Sequence, residues 1–217
     1  MSDLIVFGTG LELRNDDLLQ PNQGSTFTVP ATVQAAVFEP MFRIGRIDTV
    51  RLRETGLSLD VRPALGDTSV PGAPAFRRLW LDGNAKVIAG DHWNFDLRAQ
   101  LGTVTNAPAE MQFFIGGLDL LRGYPDNYFQ ADACAIYNVD VKYVVFDSTW
   151  FAAIPDAFTD GAAIRRADGT TDVAVSVGGG AIFVIPKLVD SLLRVDLGVP
   201  LRPPYTPSFS TGTQVFF

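Results

Sequence analysis

Apolar and polar residues alternate with a period of two through most of this sequence, and no other feature restricts the possible folds as strongly. The alternation is clearest in the segments 92–102, 133–146, 172–186 and 191–201, and it is weaker in 4–14, 25–38, 49–62, 76–88, 149–158 and 209–217. Because successive residues of a strand point to opposite faces of a sheet, each segment is a candidate β-strand. No segment has convincing helical periodicity. The sequence therefore predicts an all-β, antiparallel fold of about ten strands, or as few as eight.

A soluble β-sandwich alternates as well, so alternation alone does not distinguish it from a membrane barrel. Two further features do: the length of the apolar face and the chemistry of the opposite face. The apolar set is about five positions deep in each clear strand, which spans roughly 25–30 Å. That length matches the apolar band of an outer-membrane barrel. The opposite face carries acid–base pairs, namely Asp96 with Arg98, Asp140 with Lys142, and Arg194 with Asp196. Such pairs suit a wet, charge-balanced lumen, so the pattern favours a transmembrane β-barrel, with the sandwich as the alternative.

The last strand-like segment, 209–217, ends on two phenylalanines. Exposed aromatic residues at the end of a soluble protein would favour association, whereas lipid covers them in the closing strand of a barrel. The spacing of Gly212, Val215 and Phe217 is similar to the C-terminal recognition signal of bacterial outer-membrane barrels. We therefore expect a single barrel domain over 1–217 that is closed by this strand.

A long connection at 103–131 separates two clear strands, and it contains the stretch GGLDLLRGYPDNYF. Connections of this length are uncommon in compact domains and are usually functional. The piece FFIGGLDLLRGY resembles the Gly-Gly…(Leu/Val)-Arg-Gly-(Phe/Tyr) loop motif of the BamA and two-partner-secretion transporter superfamily of outer-membrane barrels. IYNVDVKY and AAIPDAF are similar to the two family strands that follow the loop, Asn-x-Glu-x-Arg-Tyr and Phe-x-Asp-x-Gly. GLELRNDDLLQPNQGSTFTV resembles the family's Asp-x-Arg-Asn…Pro-x-x-Gly hairpin, and all these elements occur in the family's order.

The resemblance implies that the loop folds back into the barrel. Its arginine, Arg122, would then meet Asp140 and Asp156 on the inner wall, since both fall on the lumen-facing positions of their strands. A guanidinium between two carboxylates can form bidentate, charge-assisted bonds. The loop motif carried over from the family comprises Gly116, Gly117, Leu121, Arg122, Gly123 and Tyr124. Its glycines would allow a tight backbone path, and its tyrosine would pack against the wall.

Composition argues against several classes of function. The net charge of −7 and the pI near 4.6 leave no basic stripe to neutralise phosphates, so we expect no nucleic-acid partner. The single His92 is not part of a recognisable serine, cysteine or metal-ligand motif, and SVGGGAI lacks the lysine of a phosphate-binding loop. We expect no enzymatic activity, no cofactor and no metal.

The resemblance implies a module of the bacterial outer membrane that inserts or translocates polypeptides through a seam between its first and last strands. The usual members have a larger barrel and periplasmic POTRA domains, for which this sequence has no room. The alternative is a small structural or lipid-interacting barrel, or the membrane anchor of a larger fusion. The expected partners are the lipid bilayer and client outer-membrane or secreted polypeptides. No signal peptide is visible at Met1-Ser2-Asp3, so we expect it to have been removed or to lie outside this sequence.

A homodimer is a further expectation, and it rests on volume. A barrel of eight strands is just filled by its own side chains, and about ten strands leave little more room. The long loop would therefore either fold over the mouth of the barrel or need a wider lumen, which two chains could form by pairing their terminal strands, 4–14 and 209–217.

Overall fold

The structure, a computed structural model, describes residues 5–17, 32–68, 75–185 and 191–214. Within these ranges the chain forms β-strands and one short 3-10 turn at Ala109–Met111. The strands are β1 (Ile5–Asp17), β2 (Thr32–Val50), β3 (Arg53–Thr68), β4 (Phe76–Ala89), β5 (Trp93–Thr105), β6 (Phe113–Ile115), β7 (Phe129–Ala131), β8 (Ala133–Tyr143), β9 (Phe146–Asp147), β10 (Ala152–Arg165), β11 (Thr171–Ile185), β12 (Ser191–Pro200) and β13 (Ser208–Gln214). No helix among the described residues is long and apolar enough to cross a membrane.

The long strands form one antiparallel meander in the order β1-β2-β3-β4-β5-β8-β10-β11-β12-β13, and the short β9 pairs with β10. The strands β6 and β7 form a separate two-stranded sheet inside the connection between β5 and β8. The prediction of an all-β, antiparallel fold is confirmed. Across the described residues, β1 pairs only with β2 and β13 only with β12, so the ladder does not close on itself.

The two faces of the sheet differ in exposure and in chemistry. Along β5, β8 and β10 the even-numbered residues are mostly buried, while most odd-numbered residues are exposed. Many exposed positions are apolar: Leu97 of β5, Val173 of β11 and Leu197 of β12 are 48%, 53% and 51% exposed. The buried positions include charged residues such as Asp140 and Asp160.

The sheet curls so that distant strands approach each other across its inner face. Leu52, in the turn between β2 and β3, packs against a cluster of Val144, Ile154 of β10 and Ile182 of β11. The loop spans the same space, because Leu118 lies against Gly212 of β13. The buried charges and the loop therefore share one interior that is bounded by β2 to β13.

Several predicted strand bounds were wrong. The segments 25–38 and 49–62 were expected to be separate strands. Residues 25–31 lie outside the described residues, and β2 continues to Val50 so that the turn falls at Arg51 and Leu52. Pro40 misleads here, since it lies inside β2 while the β2–β3 pairing skips the residues around Pro40 and Pro63. Proline has no N–H to donate to a ladder, so such residues resemble breaks in a sequence even where the strand continues. The strand expected at 149–158 is also longer, since β10 runs from Ala152 to Arg165.

Candidate functional site

The connection between β5 and β8 folds against the inner face of the sheet. After the β5 strand and the 3-10 turn, β6 pairs with β7, and the motif lies between them. Leu121 and Tyr124 are fully buried in a cluster with Ile136 of β8 and Ile164 of β10. The expected long loop at 103–131 is therefore an ordered element whose apolar residues form the largest core cluster.

The glycines of the motif allow its compact path. Gly117 donates its backbone N–H to the carbonyl of Tyr124 at 3.0 Å and accepts from the N–H of Leu121 at 3.1 Å. Gly123 has a φ of +88°, and a Cβ there would lie 3.1 Å from Ser176 Cβ of β11 on the inner face of the sheet. Gly116 also has a positive φ, of +141°. Glycine takes these conformations without steric cost, so the hairpin turn can bring Arg122 directly against the strands.

Arg122 is bound by two carboxylates of the inner face. Its Nε and Nη2 donate to Asp160 at 2.7 and 2.6 Å. Its Nη1 and Nη2 donate to Asp140 at 2.6 and 3.2 Å. The backbone N–H of Arg122 donates to Asp160 as well, at 3.0 Å, and its carbonyl accepts from the hydroxyl of Ser176. Both the side chain and the backbone of this residue are therefore held by the wall.

The second carboxylate is Asp160, which the sequence prediction did not name. The predicted partner Asp156 is 3.9 Å from the Arg122 guanidinium, and its Oδ2 accepts instead from Arg194 at 3.5 Å. The guanidinium also lies over the ring of Phe158, with its carbon 3.7 Å from the ring centroid. The spacing Phe158-x-Asp160 matches the Phe-x-Asp part of the strand motif quoted above, so a shift of that match by four residues would have found the partner.

The electrostatics keep the arginine charged. Burial opposes its charge, but the hydrogen bonds and the charges of Asp160 and Asp140 outweigh that effect and raise the pKa of Arg122 further. Burial also raises the pKa of the Tyr124 phenol, whose hydroxyl lies 3.4 Å from the carbonyl of Val175 and 3.3 Å from that of Arg202. The arrangement is thus a permanent ion pair beside a packed aromatic residue, which suits a structural lock better than proton transfer.

Further charge pairs line the rest of the interior. Arg43 binds Asp60 through two bonds of 2.6 Å, and Arg98 binds Asp82 at 3.0 and 2.6 Å. Lys142 donates to Asp96 through its single Nζ. Two cavities lie among these groups, one of about 360 Å³ and one of about 940 Å³, and Arg194 and Lys142 line both.

The expected C-terminal signal lies at the edge of the described chain. Gly212 is in β13, where a Cβ would lie 2.6 Å from Leu118 Cδ2 of the loop. Val215 and Phe217 lie outside the described residues.

The structure also places two sequence features for which no chemistry was predicted, His92 and the glycines at 178–180. The ring of His92 is 5.4 Å from that of Tyr143, and the run of glycines at 178–180 lies inside β11. No group of three or more histidine, cysteine, aspartate or glutamate side chains within the described ranges is arranged to hold a metal ion.

No protein-family model matches this chain, and no curated protein matches it either.

Proposed function

We propose that this chain is a membrane-spanning β-barrel of the bacterial outer membrane, of the kind found in the BamA superfamily. The observation that carries the proposal is the reversed polarity of the sheet. Apolar side chains such as Leu97 and Leu197 are about half exposed, while Asp160 and Asp196 are fully buried. A lipid bilayer would cover the exposed apolar face and leave the ion pairs in the lumen.

Aromatic side chains at one end of the sheet support the same proposal. Trp93 begins β5, Tyr143 ends β8, and the rings of these two residues are 4.7 Å apart. Phe146 and Phe151 follow in the next turn, with their ring centroids 6.1 Å apart. Tryptophan and tyrosine favour the membrane–water interface, so these rings would mark one boundary of the apolar band.

The proposed role is insertion or translocation of polypeptides through a seam between β1 and β13. Arg122 binds strands β8 and β10, and Gly123 lies against β11 and β12. The terminal strands have described partners on one side only. Such a seam requires two sheet edges that can separate, next to strands that are held together by the loop.

Vesicle reconstitution tests this role. The protein would be inserted into liposomes, and folding of a small unfolded outer-membrane barrel added outside would be followed by protease protection. We expect faster folding than in empty liposomes, and loss of the acceleration when engineered cysteines in β1 and β13 are oxidised to a disulfide. Unchanged folding rates in loaded and empty liposomes would contradict the insertase proposal.

A structural or lipid-interacting barrel, or an anchor for a larger protein, is the second candidate function. The observation that favours it is that the loop occupies part of the interior and is buried there. Leu121 and Tyr124 are fully buried, and Arg122 is only 3% exposed. A lumen that is occupied in this way would serve stability rather than transport, and this candidate predicts normal membrane insertion without client folding.

Location is tested separately. Expressed with an outer-membrane signal peptide, the protein is expected in the outer-membrane fraction and, after purification, in a detergent-dependent folded state with heat-modifiable gel mobility. A monodisperse folded monomer in detergent-free buffer would contradict the proposed location.

A further inference from the structure

The carboxylates around Arg122 outnumber the cations that bind them. Four aspartates, Asp140, Asp156, Asp160 and Asp196, contact two guanidiniums, those of Arg122 and Arg194. Lys142 is in contact with a different carboxylate, Asp96, which Lys86 also contacts, although its charge acts on Asp140 as well. Among the groups in direct contact, the four carboxylates, when ionised, therefore carry two more charges than the two guanidiniums. Burying unpaired charge is costly, so this surplus needs a partner.

Two atoms mark where that partner would bind. Asp156 Oδ1 and Asp196 Oδ1 are buried and have no hydrogen-bond partner among the described residues. The other oxygen of each group faces Arg194, at 3.5 Å from Asp156 Oδ2 and 2.7 Å from Asp196 Oδ2. Each carboxylate is thus neutralised on one side only, and both side chains are almost completely buried.

The two unpartnered oxygens converge on one point of the wall. A Cβ at Gly180 of β11 would collide with Asp196 Oδ1 and would lie 2.8 Å from Asp156 Oδ1. Gly180 is opposite both aspartates in the sheet, Asp156 on β10 and Asp196 on β12. The glycine therefore lets two carboxylate oxygens from flanking strands come together above its backbone.

We propose that Asp156 and Asp196 bind a hard divalent cation of the Mg²⁺ class between their Oδ1 atoms. Two protein carboxylates are few ligands, but Mg²⁺ is commonly held by one or two carboxylates and keeps several of its waters. Neither aspartate lines a cavity itself, so those waters would enter from the side of Arg194, which contacts both aspartates and lines the two cavities, or of Gly180, which is partly exposed. One divalent ion would cancel the surplus charge and supply a partner for both oxygens. The site depends only on the interior of the fold, and not on membrane insertion or client transport.

Equilibrium unfolding in increasing Mg²⁺ tests the site, with the protein in whichever medium keeps it folded. A ligand that binds only the folded state raises its stability with concentration. We expect the denaturant midpoint of the unaltered protein to rise with Mg²⁺ and to saturate, relative to EDTA and to NaCl of equal ionic strength. Mn²⁺ electron paramagnetic resonance should count about one bound ion per chain, as expected for the class of cation.

Asparagine variants make the test specific. Asp156→Asn and Asp196→Asn each remove one surplus charge and keep a carbonyl oxygen, so both should fold and should not lose stability in EDTA. Both are expected to lose the response to Mg²⁺. The control Asp60→Asn alters a carboxylate that is bound to Arg43 elsewhere in the interior, and it should keep that response.

Two results would overturn the cation site. An equal Mg²⁺ effect on all variants would indicate a general ionic effect. Absence of a Mg²⁺ effect on the unaltered protein would also contradict the site. If the stability of that protein then rises on acidification, and that of Asp196→Asn does not, the two carboxyl groups share a proton instead.

Discussion

Replacement of Arg122 by alanine probes the interaction that fixes the loop to the wall. The substitution removes four side-chain hydrogen bonds to carboxylates, two to Asp160 and two to Asp140. It also leaves Arg194 as the one cation in contact with the remaining carboxylates among the described residues. The backbone bond from residue 122 to Asp160 can persist, so the loop need not leave the interior completely.

The size of the effect follows from burial. Arg122 has 3% of its side chain exposed and Asp160 has none. Removing one partner of a buried ion pair costs about 3–5 kcal/mol, because the other partner remains charged and unpaired. We expect Arg122→Ala to lower the free energy of unfolding by about 3–5 kcal/mol. Asp160→Ala should cost somewhat less, because Arg122 keeps its two bonds to Asp140. Asp156→Ala should cost much less, because Asp156 accepts no hydrogen bond from Arg122 and adds to the surplus of negative charge.

A double-mutant cycle identifies the partner. Unfolding in urea would be followed by tryptophan fluorescence and by gel mobility for Arg122→Ala, Asp160→Ala and the double variant, and likewise with Asp156→Ala. Contacting residues show coupling energies of about 0.5–3 kcal/mol, whereas independent sites add. Additive effects of Arg122→Ala and Asp160→Ala would refute the lock. Stronger coupling to Asp156 than to Asp160 would refute the assignment of partners.

Three further predictions concern packing, backbone and exposure. Tyr124→Ala should cost about 3–5 kcal/mol of unfolding free energy by loss of a buried ring, while Tyr124→Phe should cost less than about 1.5 kcal/mol; a larger loss in the phenylalanine variant would contradict the packing role. Gly123→Ala should be more destabilising in urea unfolding than Gly169→Ala. Both glycines have a positive φ, of +88° and +84°, but a Cβ at Gly169 meets nothing within 4 Å. Equal losses of stability would show that the contact of Gly123 with the sheet is unimportant. Leu97→Arg should destabilise the protein folded in lipid by about 2–4 kcal/mol if that face meets lipid, and by no more than about 0.5 kcal/mol if it meets water.

The sequence predicted which face each residue occupies better than it predicted which residues meet. Alternation placed Asp140 and Asp156 on the inner face, and both are buried there. Asp160 has the same parity as Asp156 and lies about 13 Å further along the strand at ~3.3 Å per residue. Parity says nothing about that distance. The register of β8 and β10 determines that distance, since Asp160 is opposite Asn138 and Asp156 is opposite Lys142. Register is a property of two paired strands and cannot be read from one segment.

The turn between β2 and β3 was mispredicted for a related reason. Within one segment, Pro40 and Gly45 look like the end of a strand. In the sheet, Pro40 and Pro63 lie at the same interruption of the β2–β3 ladder, so two missing donors coincide and the pairing resumes beyond them. The sequence of one segment does not show that the proline in it lies opposite a proline in the neighbouring strand. The strands β5 and β8 are regular, so their prediction does not depend on such a coincidence.

The position of the two sheet edges decides between a closed monomer and a homodimer. The homodimer was expected because one chain of ten strands seemed too narrow for the loop, yet the loop of a single chain is already buried against its own strands. Leu52 of the β2–β3 turn reaches Ile182 of β11, and Leu118 reaches Gly212 of β13, so both ends of the sheet approach one interior. We therefore expect a cysteine at Thr9 in β1 to form disulfides with a cysteine at Thr211 or Thr213 in β13 within one chain. Non-reducing gels would then show a faster monomer band at all protein concentrations. A dimer band that forms in place of it, and that persists on dilution before oxidation, would establish pairing between chains and a shared lumen.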